Sequence, residues 1–116
     1  MASGRQSEGS SAVGAKWVVL WNLPPGTDVE EWERWYWEHH VPVARRLPGL
    51  KRYTATRTVR IAHGSGYYRM AEQYFGSLEA LEAAIASPEG HAVAEHAEPY
   101  GTDLVLLVSE EEEVAL

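Results

Sequence analysis

Lys16-Trp17-Val18-Val19-Leu20-Trp21-Asn22 is an apolar run, rich in β-branched and aromatic side chains and closed by Pro24, Pro25 and Gly26. In a strand, alternation sends Trp17, Val19 and Trp21 to one face and Val18 and Leu20 to the other, so this strand has to be covered on both sides. Leu104-Val105-Leu106-Leu107-Val108 repeats the pattern near the carboxyl end. Two such strands demand a layer on each face of their sheet, and the intervening segments decide what those layers are.

Thr27 or Asp28 can cap a helix, because Glu30 and Glu31 follow at capping-box distance and acidic groups favour a helix start. Trp32, Trp35, Tyr36, His39 and His40 then follow the i, i+3, i+4, i+7, i+8 pattern of one helix face, which predicts a buried His40. Pro42 disfavours helical geometry at Val41 and predicts a kink or break there, with Pro48-Gly49 ending the element. Leu50 to Ile61 reads as a long strand, His63-Gly64-Ser65-Gly66 as a four-residue turn, and Tyr67 to Phe75 as the return strand. Ser77 can cap a helix over Leu78 to Ala86, and Pro88-Glu89 opens a further helical stretch to about Ala97.

The order strand, helix, strand, strand, helix, strand is the ferredoxin-like βαββαβ arrangement, an α+β fold whose four-stranded antiparallel sheet carries helices on one face. The simplest cover for the other face is the same sheet of a second protomer, giving a homodimer with a β-barrel between subunits. With 116 residues the chain has material for one core. The domain is expected at 16–110, after a disordered Ser- and Gly-rich leader at 1–15 and before an acidic tail at 111–116, the Glu110 to Glu113 run being self-repelling.

A net charge of −7 repels phosphate backbones and anionic membrane surfaces, so neither nucleic acid nor membrane is an expected partner. Between His39 and Ala71 there is no acidic residue, and Arg45, Arg46, Lys51, Arg52, Arg57, Arg60 and Arg69 make a basic band there, either a solvated face or a rim attracting an anion. No cysteine means no disulfide and no thiolate chemistry, which fits a cytoplasmic location. No segment reaches the length of a membrane span.

Trp35-Tyr36-Trp37-Glu38-His39-His40-Val41-Pro42 followed by Ala44-Arg45-Arg46-Leu47-Pro48-Gly49-Leu50 resembles the signature of the EthD family. A second block resembles the family's other half at matching order and spacing: Tyr68-Arg69-Met70-Ala71-Glu72-Gln73-Tyr74-Phe75, then Ser77-Leu78-Glu79-Ala80-Leu81 and Ala86-Ser87-Pro88-Glu89-Gly90. The resemblance implies a dimeric α+β barrel with a cavity in each protomer between the sheet and the first helix. It also implies that the histidine of a His-x-Pro element, here His40, faces that cavity. It extends to a superfamily of cofactor-free monooxygenases, muconolactone-type isomerases, polyketide cyclases and haem-using enzymes.

The chemistry expected is therefore proton transfer. A histidine exchanges protons near neutrality, and desolvation among aromatics keeps it neutral and ready to accept one, so His40 is the candidate base, with Tyr36 and Glu72 assisting. Trp21, Trp32 and His39 are candidate pocket walls and Arg69 a candidate fork for a carboxylate or phenolate. Each has a packing alternative: a core histidine bonded to a backbone carbonyl that Pro42 frees, a cross-strand pair of Glu72 with Arg57 or Arg60, and a surface salt bridge for Arg69. His39 and His40 diverge on a helix, and His91 and His96 miss the i, i+4 spacing, so no metal site is expected. The reading is an enzyme acting without a bound cofactor on a small hydrophobic or aromatic metabolite, by oxygenation, isomerisation or cyclisation. A non-catalytic dimeric module for ligand binding or oxidative degradation, or a haem-binding relative, is the alternative.

Overall fold

The structure, a computed structural model, describes residues 12–116. β1 (Ala12–Asn22) lies inside the sheet, between β3 (Arg69–Phe75) and β4 (Thr102–Glu112), with β2 (Arg52–Arg57) outside β3, giving the order β2-β3-β1-β4 with every pair antiparallel. The doubly apolar run at 16–22 thus sits where neighbours bond it on both edges, and the ferredoxin-like βαββαβ order is as expected.

Both ends of the domain differ from expectation. β1 starts at Ala12, so residues 12–15, read as leader, belong to the sheet, where Ala15 is buried; the rest of that leader lies outside the described residues. β4 continues through Glu112, because Glu110, Glu111 and Glu112 pair with Ala15, Gly14 and Ala12 and so gain ladder bonds that outweigh their mutual repulsion. The hairpin departs further. β2 ends at Arg57, and residues 58–68 connect it to β3 in place of a four-residue turn. Val59 is 95% exposed and Ile61 is exposed too, so their β propensity meets no surface to pack on.

The first helical element has three parts. α1 (Val29–Trp35) is capped by the Asp28 carboxylate, which accepts from Glu31 N at 3.0 Å. A π-helical turn (Tyr36–His40) and the short α2 (Val41–Ala44) follow. Pro42 does not break the helix at Val41, whose dihedrals stay helical (φ −55°, ψ −44°). Instead the Val41 N–H reaches back five residues to the Tyr36 carbonyl, so the adjustment falls one turn earlier, as a π turn, and Pro42 opens α2, where a missing donor costs little.

α3 (Leu78–Ala86) and α4 (Pro88–Ala97) are capped by Ser77 and Ser87, whose hydroxyls accept from Ala80 N and Gly90 N at 3.0 Å, and a 3₁₀ turn (Glu98–Tyr100) leads into β4. These helices cover the sheet face that carries Ala15, Trp17, Val19, Trp21, Ala71, Gln73 and Phe75. One core cluster gathers Ala15, Trp17, Leu47, Phe75, Leu81 and Val93, and the other Trp21, Trp32, Tyr36 and Ala71. Val18, Leu20, Met70 and Leu107 point to the opposite face and belong to neither cluster.

Candidate functional site

A cavity of about 40 Å³ opens where the two clusters meet, beneath the first helical element and α4. β1 supplies Trp17, Val19 and Trp21 to it, β3 supplies Ala71 and Gln73, and β4 closes one side with Leu104 and Leu106. The cover is Trp32, Trp35, Tyr36 and His40, with Val93, Ala94 and Ala97 of α4. The aromatic wall is ordered by stacking. Trp32 lies parallel on Tyr36 at 5.3 Å between centroids, and Trp21 packs against both at 5.8 and 5.6 Å.

The π turn sets His40 at this wall, 7% exposed, its ring 5.6 Å from Tyr36. Its Nδ1 lies 3.1 Å from Nδ1 of His96, which arrives from α4 across 56 residues of sequence. Trp35 stacks on both imidazoles, at 5.5 and 5.3 Å, and holds the two rings in register. Burial, reinforced by repulsion from His96, lowers the His40 pKa to about 4, so the ring is neutral at neutral pH. With one Nδ1 donating and the other accepting, Nε2 of His40 is left for other partners.

A second polar line crosses the site. The Tyr36 and Tyr53 hydroxyls are 2.8 Å apart, and Tyr53 is in turn hydrogen-bonded to Gln73, which faces it across the β2–β3 ladder. Burial, together with Tyr53, pushes the Tyr36 hydroxyl well above the ordinary phenol range. Tyr36 therefore serves as a neutral donor or acceptor and not as a phenolate.

Of the residues expected at the site, the structure brings together His40, Tyr36, Trp21 and Trp32. It places three elsewhere. His39 is exposed, one step round the helix, in a shallow groove with Asp28 and Arg34. Arg69 is buried, but its fork is occupied by Glu33, with Nη2 to Oε1 at 2.6 Å and Nε to Oε2 at 3.1 Å; the Tyr68 hydroxyl donates to the same carboxylate. Burial alone would raise the Glu33 pKa; these hydrogen bonds outweigh it and hold the carboxyl below its usual range. Arg69 is thus a structural cation, not an open anion site. Glu72 points to the sheet face away from the cavity, 2.6 Å from Lys16, and pairs with neither Arg57 nor Arg60. Its neighbour Gln73 has the parity that faces the helices, and alternation with Ala71 and Phe75 is the signal that could have found it. His96 has no such local signal.

Among the described residues no cluster of three or more His, Cys, Asp or Glu side chains could hold a metal ion, and no helix is long and apolar enough to cross a membrane.

Comparison with known proteins agrees with this architecture. An uncharacterized 11.0 kDa protein of Rhodococcus erythropolis is 27% identical over 100 residues, 85% of this chain and 95% of that protein. The crystal structure of an EthD family protein from Bacillus halodurans superposes with a TM-score of 0.75 at 31% identity, covering 84% of this chain and 98% of the other. A hydroxynitrile lyase from Passiflora edulis shares the fold at a TM-score of 0.74 and 14% identity, over 91% and 100% of the two chains. So does a dimeric ferredoxin-like protein from Thermobifida fusca, at 0.60 and 17%, over 96% and 100%. The EthD domain family matches residues 24–100. With that match spanning the first helical element, the hairpin and both later helices, the chain belongs to the EthD family.

Proposed function

We propose that this protein is a small-molecule enzyme that removes a proton from a hydrophobic or aromatic substrate, with His40 as general base and without a resident cofactor. One observation carries the reading: His40 is neutral and desolvated in the wall of an apolar cavity while its Nδ1 rests 3.1 Å from His96. A base in an apolar setting meets its proton without a competing water shell. In the tautomer that leaves Nε2 free to take up the substrate proton, Nδ1 of His40 carries the hydrogen of the 3.1 Å contact and donates it to Nδ1 of His96, which fixes the ring. Tyr36 lines the same cavity and steadies a substrate oxygen through its hydroxyl. Isomerisation, cyclisation and activation of a phenol toward oxygen all begin with this step. The active form is a homodimer, whose second sheet covers the face of Leu20, Met70 and Leu107.

Nitrobenzisoxazole tests the base directly, because loss of the C–H proton of its isoxazole ring breaks the N–O bond and releases a coloured phenolate. The wild-type protein should open it faster than free imidazole, with a rate that rises through pH 4 and is level at neutrality. His40→Gln should lose on the order of a hundredfold. Binding of the probe without ring opening would identify a ligand-binding module instead.

A further inference from the structure

Three buried side-chain polar atoms have no hydrogen-bond partner among the described residues: Trp21 Nε1, Thr54 Oγ1 and Gln73 Oε1. Thr54 shares the outer sheet face with Glu72, its partner across the ladder. The other two residues line the same cavity, although Trp21 is only 6% and Gln73 only 1% exposed. A buried polar group left unmatched is costly, so two in one otherwise apolar pocket call for an occupant that completes them. Tyr53 holds one end of the Gln73 amide, so one polar atom of that amide is left towards the cavity whichever way round it lies, and a hydroxyl, which both donates and accepts, completes either.

We infer that the ligand of this cavity carries two oxygen functions separated by an apolar body: a carbonyl that accepts from Trp21 Nε1, and a hydroxyl that donates to Gln73 Oε1. The register sets the backbone positions: Gln73 faces Trp17, and Trp21 stands four residues further along β1, about 13 Å away between backbones at the rise of an extended strand. Between them lie Val19 and Leu106, which suit a flat apolar ring. A hydroxyaryl ketone has this pattern. The assignment rests on the proposed cavity and assigns its polar ends a purpose in the chemistry. When a C–H bond beside the carbonyl breaks, the proton goes to Nε2 of His40 and the electron pair moves onto the carbonyl oxygen, where the Trp21 N–H meets the enolate.

Binding of three matched probes tests the assignment without requiring turnover: para-hydroxyacetophenone, acetophenone without the hydroxyl, and para-ethylphenol without the carbonyl. Calorimetric titration of the wild-type protein should rank the first roughly tenfold tighter than each of the others. Trp21→Phe should remove the advantage of the carbonyl, and Gln73→Met that of the hydroxyl, each leaving the probe that lacks the matching group unaffected. Equal affinities for all three probes, or no binding by any, would overturn the assignment. The wild-type ranking depends on no variant folding. Failure of His40 as a base would show in the ring-opening assay and leave this ranking intact.

Discussion

At the scale of single residues the decisive fact is the environment of His40. The unfolded chain holds this imidazole at its ordinary pKa of 6.5, and the folded protein lowers it to about 4 by burial and by His96. Between those values the unfolded state binds the extra proton, so stability is fully present above pH 6.5, falls as pH drops towards 4 and levels off below. The total loss amounts to about 3 kcal/mol. Urea denaturation across that range should show the fall in the wild-type protein and a flatter profile in His40→Gln; parallel profiles would mean that His40 titrates as an exposed group does. Helical spacing and strand alternation were enough to point to His40, Tyr36, Trp32 and Trp21, because each of those patterns is local. The pairing with His96 was not legible, since it joins two helices that only the tertiary fold brings together. Glu72 drew attention by its charge, but parity along β3 gives the cavity to Gln73 and leaves Glu72 to Lys16.

At the scale of elements, the cavity depends on how closely α3 and α4 approach. A Cβ built on Gly90 would stand 2.3 Å from the Ala84 carbonyl oxygen and 2.4 Å from that of Ile85, both rigid backbone at the end of α3. Gly90→Ala must therefore push α4 away, and α4 carries Val93, Ala94 and Ala97 of the cavity wall as well as His96. The expected cost is about 3 kcal/mol in urea unfolding, with a weakened His40–His96 contact visible as a raised His40 pKa by NMR. An unchanged midpoint would show that the two helices have slack at this junction. Capping was readable at Asp28 and Ser77, where a side chain and its backbone partner are three residues apart. The π turn was not. Pro42 announces a disturbance, but whether it appears as a break after His40 or as a wider turn before it depends on what Tyr36 and His40 pack against.

At the scale of the whole molecule, helices cover one face of the sheet and leave the other bare, and the edge strand β4 shows apolar side chains on both, with Leu106 and Val108 on the helix side 45% and 50% exposed. Helices cover the side of Trp17 and Trp21, whereas the other side carries Val18, Leu20, Met70, Val105 and Leu107, with Leu107 45% exposed on the edge strand β4. The Lys16–Glu72 pair, 2.6 Å apart and largely shielded, sits among these residues and balances its own charge, so the face is apolar without being uniformly so. A second copy related by a two-fold axis presents the same patch to itself, which is how a self-complementary surface is buried in a closed pair. Leu107→Glu places a carboxylate in that contact from both protomers at once, while leaving the helix-side core untouched because Leu107 belongs to neither cluster. Sedimentation equilibrium should give a dimer for the wild-type protein and a folded monomer, with unaltered far-UV dichroism, for the variant. A variant that stays dimeric would move the interface to another surface. A wild-type monomer would mean that β1 and β4 are apolar on both faces for a reason other than a second sheet.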